Sequence, residues 1–349
     1  MSTSKCRNKR KVWSPRVLLL LELTAPVLML PFFSSAAQEN TTPSAYQLRP
    51  GVIVDPDRHL IYIMSVEGGI DAVDLARGTR AWSTKQAAKP LALAGRLLIC
   101  QAEAPSEGNE LQIVTLDTGQ QGKLVVTGTA KLPVDVNVSI DETLTNSFVA
   151  SARVSGAVAY ISWAHSKRFM RGIPPGFPDV VGVKIPLERT VNEPSVASGT
   201  FRMDLSTGVV SPVKQEEIPV AIAAASRPPD LSRTERLARI EGPQFRSANG
   251  RHVLNSQRIA DDSVWEKYRW TIYDRGTGER VGEFRTHLSF APFFIFDSQI
   301  IYETGPYVRR TDKGAVDEPL KIRAVDLRTG QELWTWQVRD TTFRGPFPP

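Results

Sequence analysis

The stretch Ala324-Val-Asp-Leu-Arg-Thr-Gly-Gln-Glu-Leu-Trp334 decides the fold of this chain. It reads A-x-D-x-x-T-G-x-x-x-W, and Ala72-Val-Asp-Leu-Ala-Arg-Gly-Thr-Arg-Ala-Trp82 repeats it with Arg77 where Thr329 stands. Each copy predicts a hairpin, because the Asp carboxylate accepts hydrogen bonds from the turn and the Gly supplies a positive φ angle without steric penalty. The Trp is large enough to fill the gap between adjacent sheets. Two copies near opposite ends of the chain indicate a repeat architecture.

Five units share two signals, a tight turn between two strands and a later Asp…Gly turn. The tight turns lie at 55–57, 95–96, 155–156, 249–250 and 297–298. The Asp…Gly pairs are Asp74 with Gly78, Asp117 with Gly119, Asp204 with Gly208, Asp274 with Gly278 and Asp326 with Gly330. Each unit therefore predicts four antiparallel strands, as in a propeller blade. The sequence predicts an all-β propeller with five visible blades, and residues 120–145 and 209–245 leave room for six or seven.

The A-x-D-x-x-T-G-x-x-x-W pattern resembles the repeat of quinoprotein-like propellers. That family includes pyrroloquinoline-quinone alcohol dehydrogenases and non-catalytic envelope propellers that scaffold outer-membrane protein assembly. The resemblance implies that the Trp side chains lock neighbouring blades together, here Trp82 and Trp334. The motif is only partial in the third and fourth units, where Pro212 and Gly282 stand in the Trp region. We interpret the five Asp…Gly pairs as structural turn formers.

The third unit contains the longest insertion. Its first turn and its Asp are 48 residues apart, from Gly156 to Asp204, against 19 in the first unit, from Asp55 to Asp74. The excess falls in residues 164–198, which we interpret as a long loop without a strand pair. Loops on a rigid scaffold often carry binding residues. The candidate partner-binding residues combine cationic and apolar side chains, and they are Lys167, Arg168, Phe169, Arg171 and Phe177.

The N-terminal 37 residues have the pattern of a secretory signal peptide. Six basic residues precede the apolar run 17–33, and the small residues 34–37 follow it. The sequence therefore predicts export to the periplasm or the extracellular space, with no membrane span after cleavage. An uncleaved anchor helix is the alternative, although Glu22 and Pro26 interrupt the run. Of the chain's net charge of +6, residues 1–37 carry +5, so the rest is nearly neutral and gives no argument for nucleic acid.

The motifs of common catalytic sites are missing from the sequence. It has no G-x-S-x-G, no H-E-x-x-H and no paired Cys, and its four His residues are isolated. Cys100 is the only Cys after the signal and lies in an apolar run, which favours a buried structural thiol. One Cys cannot supply the vicinal disulfide that the resemblance implies for the dehydrogenases. We therefore predict no metal, no catalytic residue and no cofactor, and the pattern argues against pyrroloquinoline quinone with calcium.

The sequence thus predicts four segments: a signal peptide at 1–37, a flexible lead-in at 38–49, the propeller at 50–338 and a C-terminal tail at 339–349. The expected function is a protein-binding or scaffold module of the cell envelope or extracellular space, with another protein of that compartment as partner. Two alternatives stay open, a propeller that binds a ligand or carbohydrate and a quinone-dependent dehydrogenase-like enzyme.

Overall fold

The computed structural model describes residues 45–103, 109–140, 146–167, 195–218, 237, 239–260, 267–311 and 314–340. Regular structure in these residues is dominated by β-strands. Two short 3-10 helices accompany them, at Thr118–Gln120 and Gln215–Glu217.

The first two sheets are built from strands that follow one another in sequence and in space. Blade 1 contains β1 (Tyr46–Arg49), β2 (Val52–Asp55), β3 (Leu60–Met64), β4 (Ile70–Asp74) and β5 (Arg80–Thr84). Blade 2 contains β6 (Lys89–Ala94), β7 (Leu97–Gln101), β8 (Glu110–Asp117) and β9 (Lys123–Lys131).

The next three sheets repeat this arrangement. Blade 3 contains β10 (Asn146–Ser155), β11 (Val158–Lys167), β12 (Ser195–Asp204) and β13 (Val210–Pro212). Blade 4 contains β14 (Gln244–Arg246), β15 (His252–Ile259), β16 (Lys267–Asp274) and β17 (Arg280–Thr286). Blade 5 contains β18 (Phe293–Phe296), β19 (Gln299–Thr304), β22 (Lys321–Asp326) and β23 (Glu332–Gln337), and a separate hairpin, β20 (Tyr307–Thr311) with β21 (Gly314–Glu318), lies between β19 and β22 in sequence.

The predicted all-β propeller with four-stranded antiparallel blades is confirmed. Every blade has its first tight turn and its Asp…Gly turn between the strands that the sequence predicts. Five blade sheets are present in the described ranges, four with four strands and one, blade 1, with β1 as a fifth strand, and residues 132–140 contain no strand. Among the described residues, no sheet contains strands from both the first and the last blade, so contacts between blades must close the ring.

Buried apolar clusters hold neighbouring blades together. Each cluster combines side chains from two adjacent sheets, because a sheet with two apolar faces can bury both only by packing against a neighbour on each side. The clusters join blade 1 to blade 2 through Tyr62 and Leu98, blade 2 to blade 3 through Ile113 and Ile161, blade 4 to blade 5 through Trp270 and Tyr302, and blade 5 to blade 1 through Ile322 and Ile63. In the part of the chain that the structure describes, no buried cluster of this kind joins blade 3 to blade 4.

The N-terminal boundary of the propeller differs from the prediction of a flexible lead-in over 38–49. Residues Tyr46–Arg49 form β1, which pairs with β2 along the innermost edge of blade 1. The ring of Tyr46 lies 5.5 Å from that of Phe294 in blade 5. The lead-in prediction is therefore wrong for 46–49, because a polar segment that supplies backbone hydrogen bonds and one aromatic ring can complete a sheet without an apolar pattern.

The insertion in blade 3 is also shorter than predicted. Strands β11 and β12 pair as far as Lys167 with Ser195, so 164–167 and 195–198 belong to the sheet rather than to a loop. Residues 168–194 lie outside the described residues. Small and polar side chains on one face of these strands, such as Ser162 and Ser166, made the strand pattern hard to recognise in the sequence.

Candidate functional site

The two ends of the propeller ring carry different kinds of connection. Strands alternate in direction within a blade, so the turn between the first two strands and the Asp…Gly turn lie at one end, which we call the turn face. The connections between the second and third strands, and the links between blades, lie at the other end, which we call the loop face. Among the described residues, the longest connections, such as residues 132–140 and the β20–β21 hairpin, are at the loop face.

The predicted Asp residues organise the turn face. Asp74 Oδ1 accepts hydrogen bonds from the backbone N–H groups of Ala76 and Arg77 at 2.9 and 2.8 Å, and Gly78 N donates to the Asp74 carbonyl oxygen. Gly78 has a φ angle of +65°, which glycine adopts without strain. The same arrangement is present at the corresponding pairs in three other blades, Asp204 with Gly208, Asp274 with Gly278 and Asp326 with Gly330.

Blade 2 departs from the predicted pairing of Asp117 with Gly119. Asp117 Oδ1 accepts from Gly119 N at 2.9 Å, but the residue that donates to the Asp117 carbonyl is Gly122, with a φ angle of +76°. The 3-10 helix Thr118–Gln120 lengthens this turn, which moves the left-handed position from Gly119 to Gly122. The assignment of Gly119 to this position is therefore corrected, since an extra residue in the turn shifts the register.

The two motif Trp side chains each pack on the turn glycine of the next blade. Trp334 in blade 5 covers Gly78 in blade 1, and a Cβ atom added to Gly78 would collide with the indole ring. Trp82 in blade 1 covers Gly122 in blade 2, where an added Cβ would lie 2.5 Å from Trp82 Cζ3. Both Trp residues are largely buried. Each copy of the motif thus supplies a ring to one neighbour and a glycine turn to the other.

Extended connections on the loop face surround the mouth of the ring. The link from blade 2 to blade 3 crosses this face with alternating burial, and it buries Leu132, Val136, Val138 and Ile140. Gln101 Nε2 donates to the Val138 carbonyl at 3.3 Å and holds the link on blade 2. This packing was not predicted, because the burial pattern of the link depends on the blades beneath it.

The β20–β21 hairpin projects from the loop face of blade 5 and was also not predicted. At its base the Tyr307 hydroxyl lies 2.6 Å from His287 Nε2, and the two rings meet edge to face. Lys321 and Glu318 form an ion pair of 3.4 Å at the other strand. The only sequence signal was the distance of 29 residues between Asp297 and Asp326, longer than in the first unit.

Exposed apolar side chains are present on the loop face between these connections. Val134 is 93% exposed and Val66 is 50% exposed. Phe290 is 44% exposed and stacks on Phe245 with 4.2 Å between ring centroids. Large exposed apolar groups on a face built from connections suit contact with another macromolecule.

Arg339, two residues after β23, lies on the loop face. Arg339 N donates to the Met64 carbonyl in blade 1, and its guanidinium binds both carboxylate oxygens of Glu103 beyond blade 2 at 2.9 and 3.0 Å. Of the predicted tail, only Arg339 and Asp340 are described, and Arg339 is anchored rather than loose. Arg49 and Glu303 add an ion pair of 3.0 Å between the first strand and blade 5.

The predicted partner-binding residues are only partly placed. Lys167 is the last residue of β11 and lies at the loop face, although its side chain is not described. Arg168, Phe169, Arg171 and Phe177 fall outside the described residues. The structure thus locates the base of the candidate loop, and the loop itself stays a prediction.

Two buried titratable groups have pKa values shifted by burial. Burial raises the pKa of the Cys100 thiol well above its ordinary value, and Cys100 lies in the cluster between blades 1 and 2. Burial lowers the pKa of His252 to about 4. No group of three or more His, Cys, Asp or Glu side chains that could hold a metal is present among the described residues.

Within the same residues, no helix combines the length and the apolar character that a membrane crossing needs.

Comparison with known proteins gives no family for this chain. No family model matches it, and no curated protein matches it. Solved structures with a similar arrangement include a europium-containing methanol dehydrogenase, with 13% identity, coverage of 80% of this chain and 67% of that chain, and a TM-score of 0.22. They also include a eukaryotic initiation factor (10% identity, 86% and 89% coverage, TM-score 0.30) and TolB from Acinetobacter baumannii (14% identity, 82% and 61% coverage, TM-score 0.22).

These likenesses are too distant to bear on function. The chain spans 67% of the methanol dehydrogenase and 61% of TolB. The fold assignment rests on the five sheets and the packing between them.

Proposed function

We propose that this chain is an exported scaffold propeller that binds a partner protein through its loop face. The observation that carries the proposal is the segregation of connections. The turn face is closed by short hydrogen-bonded turns, whereas the long blade links, the base of the residue 168–194 insertion and the β20–β21 hairpin all emerge from the loop face. A rigid ring that presents variable connections at one end is a common arrangement for binding.

The side chains of the loop face suit a protein partner. Val66, Val134 and Phe290 provide exposed apolar side chains that a protein partner could bury. Residues 38–349 are nearly neutral, so their net charge gives no strong electrostatic attraction for a polyanion. An envelope or extracellular protein is the partner that fits both observations and the predicted signal peptide.

Within this proposal the chain is a non-catalytic relative of the quinoprotein-like propellers. The full motif at 324–334 and the nearly full one at 72–82 support the relationship, since Trp334 and Trp82 pack between blades as the resemblance implies. The proposal includes no quinone, calcium or other cofactor.

Site-specific photocrosslinking in the native host tests the proposal. A photoreactive amino acid is placed at Val66, Val134 or Phe290 on the loop face, and at Val209 on the turn face as the control. Val209 is 65% exposed, so its accessibility matches that of the test positions. We expect one partner band from the loop-face positions and none from Val209. Equal crosslinking at Val209, or no specific band at any position, would contradict the use of the loop face.

The export part of the proposal has a separate test. We expect the mature protein to begin at Gln38 and to appear in the envelope or secreted fraction, as read by mass spectrometry of its N-terminus. Recovery of the chain from the cytoplasm with residues 1–37 intact would show that export is wrong, while leaving the binding test valid.

A further inference from the structure

The outer edge of blade 3 differs from that of every other blade in the described residues. Its third strand, β12, has ten residues, but the fourth strand, β13, has three and pairs only with Phe201, Arg202 and Met203. In blade 2, by contrast, β9 pairs with β8 from Glu110 to Asp117. The first half of β12 therefore has no partner strand on its outer side within the described chain.

The hydrogen bonds around β13 show which backbone groups face this open edge. The Asp204 N–H donates to the Val209 carbonyl oxygen, and the Thr200 carbonyl oxygen accepts from the Val213 N–H. The even-numbered residues of β12 therefore direct their backbone groups towards β13, which is the outer side. N–H and C=O of one residue point to the same side of an antiparallel strand. The N–H and C=O of Ser198 therefore lie on the open edge, and Ser198 itself is exposed.

A buried donor lies beside the same stretch. Trp163 in β11 pairs with Gly199, and a Cβ added to Gly199 would lie 2.9 Å from Trp163 Nε1. The indole ring thus occupies the space over Gly199 that a side chain would fill. Trp163 Nε1 is buried and has no hydrogen-bond partner in the described part of the chain. A buried indole N–H usually has an acceptor, so an acceptor supplied near this edge would satisfy it.

Paired hydroxyl groups lie on the face of blade 3 that points away from blade 2. Ser147 and Ser166 lie 2.7 Å apart, and Ser162 and Thr200 lie 3.1 Å apart. Val149 on this face is 41% exposed, and beside it the unpaired backbone of β12 offers hydrogen-bonding groups that a partner can recognise. The edge lies next to the base of the residue 168–194 insertion, on the loop face.

We propose that the outer edge of β12 around Ser198 binds an extended segment of the partner protein by strand addition. In this mode the main chain of the bound segment pairs with an exposed sheet edge and provides the affinity. The inference rests on the proposed function and names its surface. The bound segment runs antiparallel or parallel to β12 as a further strand of blade 3, in the place that a longer β13 would occupy.

The test uses the full mature chain and a phage-displayed library of random peptides as the probe. Selected peptides are synthesised and their affinities measured for the wild type, Ser198→Pro and the matched control Ser198→Ala. Proline removes the outward N–H and leaves the pairing with β11, while alanine keeps the N–H. We expect Ser198→Pro to bind about tenfold or more weakly, because outward pairing is lost, and Ser198→Ala to bind as the wild type does.

Amide hydrogen exchange on the wild type keeps the proposal testable if Ser198→Pro folds poorly. We expect fast exchange at Ser198 in the free chain, protection by the selected peptide, and a shift of the Trp163 indole N–H resonance on binding. Slow exchange of the Ser198 amide in the free monomer would show that another part of the chain already pairs with the edge of β12. If the wild type is instead a dimer and Ser198→Pro is a monomer, a second copy of the chain pairs with that edge. Either result overturns the proposal.

The remaining outcomes separate this site from the proposed function. Peptides that bind equally well to Ser198→Pro would place binding elsewhere and overturn strand addition. Failure to select any peptide would also overturn it. In both cases the proposed scaffold function would still hold if the loop-face positions crosslink to an intact partner protein. If they do not crosslink, the proposed function is wrong as well.

Discussion

The indole N–H of Trp334 donates a hydrogen bond of 2.9 Å to the backbone carbonyl oxygen of Leu75, across 259 residues of sequence. Gln299 Nε2 donates to the same carbonyl at 2.9 Å. Because, among the described residues, no sheet contains strands from both the first and the last blade, these bonds and the surrounding apolar cluster close the ring between blade 5 and blade 1. The contact combines a specific polar bond with the packing of a large ring on Gly78.

The first prediction concerns this closure. Trp334→Ala should lower the free energy of unfolding by about 3–5 kcal/mol, because it leaves a cavity between two blades and removes the bond to Leu75. Trp334→Phe should have a smaller effect, since it keeps most of the apolar ring. Denaturant unfolding measures both values. An unfolding free energy for Trp334→Ala equal to that of the wild type would show that the ring is closed by other contacts.

The second prediction separates backbone strain from steric conflict. Gly78 and Gly95 both have positive φ angles, +65° and +56°, but an alanine Cβ at Gly78 meets Trp334 whereas nothing lies within 4 Å of one at Gly95. Gly95→Ala should destabilise by about 1–2 kcal/mol, the usual left-handed penalty. Gly78→Ala should destabilise clearly more, as measured by thermal unfolding. Equal losses would mean that Trp334 moves aside without penalty.

The third prediction is a pH dependence caused by His252. Burial lowers its pKa to about 4, despite the opposing effect of Asp274, and Nδ1 is buried without a partner in the described chain. The unfolded state binds a proton near pH 6.5 and the folded state only near pH 4, so protonation favours unfolding. Stability should be complete above pH about 6.5 and decrease as the pH falls towards about 4.

The control for this pH dependence is His252→Gln, which cannot titrate. The melting temperature of the wild type should fall between pH about 6.5 and about 4 more steeply than that of His252→Gln. An NMR titration that gives His252 an ordinary pKa would contradict the assigned burial effect.

The fourth prediction tests the hydrogen bonding of a turn carboxylate. The Ser206 hydroxyl and the backbone N–H groups of Thr207 and Ser206 lower the pKa of Asp204 to about 2. The stabilising contribution of the ionised group is therefore present above pH about 3.9 and is lost as the pH falls towards about 2. Ser206→Ala should raise the pKa of Asp204 towards its ordinary value, as read by NMR titration of the carboxyl carbon. No change would show that the backbone donors alone set the pKa.

Much of each blade could be predicted from residues that are close together in sequence. Asp326 and Gly330 lie within one turn, so their side-chain and backbone requirements appear as a local motif. Blade 2 marks the limit of this reasoning, because both Gly119 and Gly122 follow Asp117 and only the path of the turn decides which one adopts the positive φ angle. The sheet edges were harder still, since β1 and the outer half of blade 3 have no strong alternation of apolar residues.

The sequence by itself determined the repeat, the four-stranded units and the turn chemistry, because those depend on interactions over a few residues. Only the tertiary structure decided that Trp334 rests on Gly78, that Arg339 is bound on the loop face and that, among the described residues, the first half of β12 beside Trp163 has no outer partner strand. These features arise where segments that are distant in sequence meet. A local sequence pattern does not predict which distant residue a side chain or a strand edge will contact. The physical reason is that backbone pairing and ring closure depend on the whole arrangement of blades, whereas a turn depends only on its own residues.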